Sequence, residues 1–214
     1  MLRPLLAVSL AFAACLMLDP AQAGDGFIQL SDKWRAVQSR MQSDSERLAR
    51  CRADAEACSL EEKQLEAIVD AARARDGRAR IGQINRAVNL TIRPVSDMRR
   101  FGMADFWTSP LDTLSAGSGD CEDYAILKFL ALREAGMPAQ DLRLVIVHDA
   151  IARSDHAVVA AQLSGRWVLL DNRGFALIDL AHTRYRPIMT LALDADRPAP
   201  VYADAVPSDR NLAL

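Results

Sequence analysis

Residues 121–136 read CEDYAILKFLALREAG, and this stretch decides the fold that we expect. Apolar side chains occupy nearly every direction around a helix drawn through it, and such a helix is usually central and buried. Gly136 is a typical C-terminal cap, and Pro138 prevents the helix from continuing. The sequence therefore predicts one buried helix, residues 121–135, against which the other elements pack.

The segments before this helix carry apolar residues at the helical spacings of three and four. They predict three further helices, at residues 31–53, 59–76 and 78–90. Ser59 and Glu62 have the spacing of a capping box, which should start the second of them. Residues 95–119 carry few periodic signals, and we interpret them as a long ordered loop.

The pattern after the buried helix changes to that of β-strands. Strands are predicted at residues 142–147, 156–163 and 166–171, with one or two more within 175–179 and 185–193. Ser164-Gly165 is a two-residue turn typical of a β-hairpin. Because helices come first and a mainly antiparallel sheet follows, the predicted fold class is α+β.

The composition is that of an ordinary globular protein. The chain has 214 residues, of which 50% are hydrophobic and 25% charged, and these values exclude a disordered or collagen-like chain. Its 26 Lys and Arg residues against 28 Asp and Glu residues give a net charge of -2. Since no excess of positive charge is available for a phosphate backbone, we expect no nucleic-acid partner.

The N-terminus has the pattern of a secretory signal peptide, residues 1–23. Arg3 precedes an apolar run over residues 5–18, which is shorter than the roughly 20 residues that span a bilayer. Ala21-Gln22-Ala23 fits the pattern for cleavage after Ala23. An uncleaved anchor and lipidation at Cys15 are the alternatives. We expect no membrane span in the exported chain.

The rest of the chain is predicted to form one domain at residues 24–193, followed by a tail at residues 194–214. The domain has a helical half at residues 30–136 and a sheet half at residues 140–193.

Three cysteines remain after residue 23: Cys51, Cys58 and Cys121. An odd number in an exported protein suggests one disulfide and one free thiol. Cys51 and Cys58 are seven residues apart at the junction of two predicted helices, so we expect them to be bonded; two free thiols are the alternative. Cys121 is then the odd one, and a free thiol in an oxidising compartment is a liability unless it is used or buried.

The predicted hairpin places two polar residues on one face of the sheet. Pairing outward from its turn puts Val158 opposite Asp171. His156 lies two residues from Val158 and therefore on the same face. His156 and Asp171 are then diagonal neighbours, about 7 Å apart at Cα, which lets the carboxylate reach an imidazole N–H.

Cys121 begins the buried helix, where backbone N–H groups and the helix dipole favour a thiolate. A cysteine, a histidine and an aspartate in these settings can act as nucleophile, base and orienting acid. The helix N-terminus can also donate N–H groups to an oxyanion. The sequence therefore predicts a catalytic Cys121–His156–Asp171 arrangement.

Three carboxylates, those of Asp120, Glu122 and Asp123, flank Cys121 and should oppose thiolate formation. One interpretation is that they complement the positive end of the helix. The other is that they bind Ca²⁺, which takes about six to eight oxygen ligands.

Three further alternatives stay open from the residues alone. His148 could be the base in place of His156, and Asn172 could orient the base in place of Asp171. Trp107 is either a core residue or a residue of the substrate cleft whose indole N–H assists the oxyanion.

The sequences GDCEDYA at 119–125, HAV at 156–158 and LDN at 170–172 closely resemble those of the bacterial transglutaminase-like cysteine peptidases. The best-known members of that family are the periplasmic LapG-type adhesin proteases. The resemblance covers roughly residues 30–190. Its upstream elements are Asn85, Val88-Asn89, Asp97, Asp105-Phe106-Trp107 and Pro110.

This resemblance implies a papain-like, transglutaminase-like core and a periplasmic cysteine endopeptidase. Cys121 would be the nucleophile, His156 the base and Asp171 the orienting acid. Asp120, Glu122 and Asp123 would be the calcium ligands. The implied substrate is a large surface adhesin, cut near its N-terminal anchor so that the biofilm disperses. The implied partner is an inner-membrane cyclic-di-GMP receptor that sequesters the enzyme.

Two other functions fit the same residues. The first is transglutaminase- or amidase-type acyl transfer, in which an amine captures the same thioester. The second is a non-catalytic binding module that calcium stabilises. The catalytic residues alone do not separate these functions from hydrolysis.

Overall fold

The computed structural model describes residues 20–193 and 199–200, with side chains described for residues 28–193. The predicted signal peptide and the predicted C-terminal tail lie outside the described residues, apart from residues 20–23 and 199–200. No helix in the described part of the chain combines the length and the apolar character needed to cross a membrane.

Six α-helices are described: α1 (Pro20–Ala53), α2 (Leu60–Arg73), α3 (Gly77–Thr91), α4 (Asp97–Phe101), α5 (Pro110–Ala116) and α6 (Cys121–Glu134). Helix α1 begins earlier than the predicted residue 31. The predicted capping box is confirmed at the start of α2. The Ser59 side chain accepts the Glu62 N–H, and the Glu62 carboxylate accepts the Ser59 N–H.

The prediction of a long loop over residues 95–119 is wrong, because this segment contains α4 and α5. Ser109 caps α5 by accepting the N–H of Asp112 at 3.2 Å. Gly117 ends the helix in the left-handed conformation, with φ of 59°. Helices of two turns or fewer leave too few apolar repeats for a periodic signal. The cap, the proline at the first position and the closing glycine were the signals available.

Two sheets are present in the described residues. β1 (Arg93–Pro94) and β2 (Ser118–Gly119) form a short parallel pair. The main sheet contains β3 (Leu142–Asp149), β4 (Ser154–Leu163), β5 (Arg166–Leu170), β6 (Ile178–Asp179), β7 (Tyr185–Leu191) and β8 (Ala199–Pro200). Its order is β6-β5-β4-β3-β7-β8 and its neighbours are antiparallel. The predicted α+β class is confirmed.

The β4–β5 hairpin has the predicted register. Leu163 lies opposite Arg166, and the ladder continues until Val159 lies opposite Leu170. Ser164 and Gly165 both have positive φ, at 52° and 80°, which suits a turn that matches the twist of the two strands. Asp171 therefore follows directly after β5.

Helix α6 is the centre of the molecule, as predicted. Its side chains from Glu122 to Leu132 are all buried, and it packs on β4, α3 and α5. Trp34 of α1 meets Phe129 of α6 edge to face, with ring centroids 5.7 Å apart. The Trp34 indole N–H also donates to the Ala192 carbonyl, so α1 ties the helices to the end of the sheet.

A disulfide joins Cys51 to Cys58, whose Cα atoms are 4.8 Å apart. It links the end of α1 to the residue before the cap of α2. Among the cysteines of the described residues, Cys121 is free.

Candidate active site

Cys121 is the first residue of α6 and follows directly on the short β1–β2 sheet. Gly119, in β2, makes this close approach possible. A Cβ atom at residue 119 would lie 2.6 Å from the Cβ of Asp123, which is closer than two carbon atoms can pack. Gly119, two residues before the nucleophile, therefore allows the strand to pass directly under the first turn of the helix.

His156 and Asp171 form a buried hydrogen-bonded pair. The His156 Nε2 atom is 2.9 Å from Asp171 Oδ1, and both side chains are almost fully enclosed. Burial alone would raise the pKa of Asp171, but the hydrogen bonds from His156 and Tyr185 hold it well below its usual range. Because an ionised carboxylate only accepts, Nε2 carries the proton and Nδ1 keeps its lone pair in neutral His156.

Several other groups hold the Asp171 residue in place. Its Oδ1 accepts the Arg173 N–H at 3.0 Å, and its Oδ2 accepts the Tyr185 hydroxyl at 2.5 Å. Its carbonyl accepts the side-chain amide of Asn89 in α3 at 2.8 Å. Asn85, one turn earlier in α3, donates to the carbonyls of residues 174 and 175. These contacts position the orienting acid from a helix and from a distant strand.

Cys121 and His156 both line a cleft of about 390 Å³. Residues of α1, of the segment before α5, of the start of α6 and of the sheet line the rest of it: Gln29, Leu30, Lys33, Ala104, Asp105, Trp107, Asp120, Glu122, Ile146, Asp155 and Ala157. His156 Nδ1 is buried and has no hydrogen-bond partner among residues 28–193. It is the nitrogen available to exchange a proton with the thiol.

The Cys121 thiol is held protonated in this arrangement. Burial and then the charge of Glu122 raise its pKa far above the usual range. The thiol donates to Glu122 Oε2 at 3.1 Å. The expectation that the helix N-terminus would favour the thiolate is therefore outweighed by burial and by the neighbouring carboxylates.

Asp97, Asp120 and Glu122 bring carboxylate oxygens within 4.8 Å of one another. Burial and the nearby Asp120 raise the pKa of Glu122 to about 9. One oxygen of Asp97 and one of Asp120 are buried without a hydrogen-bond partner in the described residues. Carboxylate oxygens crowded together, some of them without a hydrogen-bond partner in the described residues, are the donor set that a hard cation such as Ca²⁺ prefers. The three residues therefore fit a calcium site.

Asp123, the third predicted ligand, does not lie in this group of carboxylates. Its Oδ2 pairs with Arg100 at 2.6 Å. Its Oδ1 accepts the backbone N–H of Thr108 at 2.9 Å and the Thr108 hydroxyl at 2.6 Å. Both oxygens are thus engaged within the protein. Asp97, carried by α4, is the third carboxylate of the group instead.

The structure also places the alternative residues. His148 Nδ1 lies 3.0 Å from Asp155 Oδ1, and the ring is not part of the cleft lining. Asp171 rather than Asn172 contacts His156. Trp107 is buried and lines the cleft, but its indole N–H donates to Asp105 Oδ1 at 2.7 Å. That N–H is therefore engaged, and a role in oxyanion binding is not supported.

The chain is similar to known cysteine proteinases. The model of a family described as bacterial transglutaminase-like cysteine proteinase matches residues 41–197. No curated protein matches the chain.

Two solved structures of LapG from Legionella pneumophila are similar in fold. The calcium-bound structure is 18% identical with a TM-score of 0.60, over 74% of this chain and 92% of that one. The EGTA-treated structure is 19% identical with a TM-score of 0.56, over 69% and 81%.

Proposed function

The chain belongs to the bacterial transglutaminase-like cysteine proteinase family, and from this premise we propose that it is a calcium-dependent periplasmic endopeptidase acting on a large cell-surface adhesin. Membership makes the chain a cysteine peptidase. The observation that carries the proposal is the cleft shared by Cys121 and His156, with the ionised Asp171 behind the imidazole.

Acylation begins with the transfer of the Cys121 Sγ proton to Nδ1 of His156. The sulfur then attacks the carbonyl carbon of the scissile peptide bond. The first backbone N–H groups of α6 have no partners within the helix, and they can donate to the oxyanion that forms. As the intermediate collapses, the C–N bond breaks and the leaving amine takes the proton from His156.

Deacylation uses the same residues in the reverse roles. His156 Nδ1 accepts a proton from water as the water oxygen attacks the thioester carbon. Collapse of the second intermediate breaks the C–S bond, and the sulfur leaves as the His156 proton returns to it. Asp171 keeps Nε2 protonated throughout, so that Nδ1 remains the working nitrogen.

Asp97, Asp120 and Glu122 would hold the calcium ion. When bound, it supplies positive charge that offsets these carboxylates beside the nucleophile. Glu122 raises the pKa of the Cys121 thiol while its charge is uncompensated. Compensation of that charge would make the proton transfer from Cys121 to His156 easier.

The substrate and partner of this proposal rest on the family resemblance of the sequence around the nucleophile. The enzyme cuts the adhesin near its N-terminal anchor, releases it from the cell surface and promotes biofilm dispersal. An inner-membrane cyclic-di-GMP receptor sequesters the enzyme when the second messenger is abundant. The periplasmic location follows from the signal-peptide pattern of residues 1–23.

The test is cleavage of an adhesin N-terminal fragment by residues 24–214 in calcium-containing buffer. We expect the wild type to cut the fragment at one site. Cys121→Ala and His156→Ala should lose at least about 1,000-fold in kcat/KM. His148→Ala removes a histidine that lies outside the cleft and should stay within about twofold of the wild type.

Three results would contradict the proposal. Undiminished cleavage by Cys121→Ala would exclude the thiol mechanism. Incorporation of an added amine into the fragment without backbone cleavage would assign the site to acyl transfer. If the wild type binds the fragment without cutting it, and Cys121→Ala binds it equally well, the chain is a binding module.

A further inference from the structure

Large apolar side chains are concentrated on the surface beside the cleft. Met98, Phe101, Met103 and Phe106 fall within one short segment, and between 38% and 58% of the surface of each residue is exposed. The rings of Phe101 and Phe106 lie against each other, with centroids 4.8 Å apart. We call these four residues the apolar rim. Folded proteins rarely leave large apolar side chains exposed together unless a partner covers them.

The backbone brings the apolar rim to the edge of the cleft. Gly102 ends α4 in the left-handed conformation, with φ of 68°, so the chain turns after Phe101 and Phe106 can meet it. The residues on either side of Phe106, which are Asp105 and Trp107, both line the cleft. The apolar rim and the cleft lining therefore come from the same segment and form one continuous surface.

Contacts with the rest of the protein hold the apolar rim in place. The carboxylate of Asp97 accepts the N–H of Phe106. The Arg100 guanidinium lies 4.6 Å from the centre of the Phe101 ring, and the same side chain pairs with Asp123 at 2.6 Å. A surface that is already fixed loses little conformational freedom when a ligand binds. The apolar rim is therefore prepared for binding.

The size of the cleft indicates what the apolar rim binds. A volume of about 390 Å³ encloses a ligand no larger than a drug-sized molecule, whereas the substrate of an endopeptidase is a long chain. That chain must leave the cleft on both sides of the scissile bond and cross the surface that borders it. An extended chain points every second side chain toward such a surface. The apolar rim is where one side of the substrate leaves the cleft.

We propose that the apolar rim binds a large apolar side chain of the substrate, at a fixed position on one side of the scissile bond. The substrate is the occupant because the rim is continuous with the cleft that holds the nucleophile. An aromatic or branched aliphatic side chain lying on the Phe101 and Phe106 rings removes apolar surface of both partners from water. The inference rests on the proposed peptidase function and adds a sequence preference to it.

Cleavage of a mixed peptide library tests this preference. The exported chain, residues 24–214, is incubated with the library in calcium-containing buffer, and mass spectrometry locates the cut sites. We expect large apolar residues to be enriched at one position near the cut. Phe101→Ser and Phe106→Ser should lose that enrichment. Their kcat/KM should fall by about tenfold or more on peptides that carry the apolar residue, and should stay near that of the wild type on peptides that carry a polar one.

Three controls separate the apolar rim from the chemistry and from the fold. Phe106→Leu keeps an apolar side chain and should keep the enrichment. Leu60→Ser removes an exposed apolar side chain at the start of α2, outside the cleft lining, and should leave the cut sites and the rate unchanged. Iodoacetamide is too small to need the rim, so it should alkylate Cys121 at the wild-type rate in both serine variants.

Two results would overturn the inference while leaving the peptidase function in place. The first is an unchanged enrichment in the serine variants; if the wild type is also a dimer that these variants dissociate, the apolar rim binds a second copy of the chain. The second is slower alkylation of Cys121 in the same variants, because the rim would then act on the thiol.

The adhesin proposal is judged separately. Cleavage of the library without cleavage of the adhesin fragment would reject the adhesin as the substrate, and the enrichment would still decide the role of the apolar rim. If the wild type cuts neither, the proposed function fails and the inference fails with it.

Discussion

Tyr185 supports the catalytic residues, although no sequence pattern indicated this role. Its hydroxyl donates to Asp171 Oδ2 at 2.5 Å, and its ring centroid lies 5.8 Å from that of His156. Burial and the neighbouring Asp171 raise the pKa of the tyrosine, so the hydroxyl stays a donor at neutral pH. A donor to an ionised group is worth about 1.5–3 kcal/mol, and here it fixes the rotation of the carboxylate that orients the base.

Replacing Tyr185 by phenylalanine should therefore slow catalysis more than it weakens binding. The variant keeps the ring beside His156 and removes one hydrogen bond to Asp171. We expect kcat to fall by about 10- to 100-fold with KM nearly unchanged. Steady-state kinetics on the adhesin fragment measure this split.

Tyr124→Phe is the matched control, because Tyr124 is equally buried and lies on the nucleophile helix. Its hydroxyl donates to the Ile92 carbonyl, away from the catalytic residues. That variant should lose about 1 kcal/mol of stability with little change in kcat. Equal rate losses in the two variants would show that Tyr185 acts only through the packing of the core.

Site residues that local geometry places together could be predicted from the sequence. Site residues that only the packing of distant segments brings together could not. A two-residue turn fixes the hairpin register, so His156 and Asp171 could be paired from the sequence. Asp97 lies on a short helix that no periodic signal indicated, whereas Asp123 was predicted as a ligand with Asp120 and Glu122, since all three flank the nucleophile. The direction of its side chain is set by Arg100 and Thr108, and no spacing rule gives that direction.

At the level of elements, the junction between β2 and α6 sets the geometry of the site. The strand runs into the helix at Asp120, and the first turn of the helix carries Cys121 and Glu122. Gly119 allows this junction because a side chain there would meet Asp123. The junction therefore positions the nucleophile and one side of the candidate calcium site together.

Gly119→Ala should disrupt this junction. The added Cβ would lie 2.6 Å from the Asp123 Cβ and 2.7 Å from its Oδ2, so the first turn of α6 must move. We expect a loss of about 2 kcal/mol or more of stability, together with a large loss of activity. Chemical denaturation and adhesin cleavage measure the two effects.

Gly82→Ala is the matched control for this change. Gly82 lies within α3, and a Cβ there would meet no atom within 4 Å. An alanine in an open helical position should stabilise the protein by about 0.5–1 kcal/mol and leave activity unchanged. A Gly119→Ala enzyme with wild-type activity would show that the junction is not a constraint on the site.

At the scale of the whole molecule, the active site joins the two halves of the fold. The helical half contributes the nucleophile, and the sheet half contributes His156 from β4 and Asp171 from just after the end of β5. Asn89 of α3 reaches across to the Asp171 carbonyl, and Trp34 of α1 reaches Ala192 at the end of the sheet. Separation of the halves would therefore break the catalytic arrangement before it exposed the entire core.

Calcium is expected to stabilise the helical half, because its candidate ligands come from two segments that are distant in sequence. Asp97 lies on α4, whereas Asp120 and Glu122 lie at the start of α6. The Asp97 N–H donates to Asp120 Oδ2 at 3.1 Å, and Asp97 accepts the N–H of Phe106. An ion held by these carboxylates would fix the segment of residues 97–106 against α6, beside the cleft.

Calcium should therefore raise the unfolding temperature, and the variants should show which carboxylates bind it. A ligand at 100 times its Kd adds about 2.7 kcal/mol, which corresponds to roughly 5–10 °C for a chain of this size. Asp97→Asn should abolish most of this shift when calcium is compared with a chelator. The measurement is thermal unfolding over a calcium titration.

Asp123→Asn supplies the contrast, because its carboxylate pairs with Arg100 and accepts from Thr108 within the protein. Breaking a buried ion pair leaves Arg100 with an uncompensated charge, which costs about 3–5 kcal/mol whether or not an ion is bound. This variant should therefore unfold at a lower temperature in calcium and in chelator alike, and the difference between the two conditions should persist. Loss of the calcium shift in Asp123→Asn, with the shift retained in Asp97→Asn, would restore the ligand set that the sequence alone suggested.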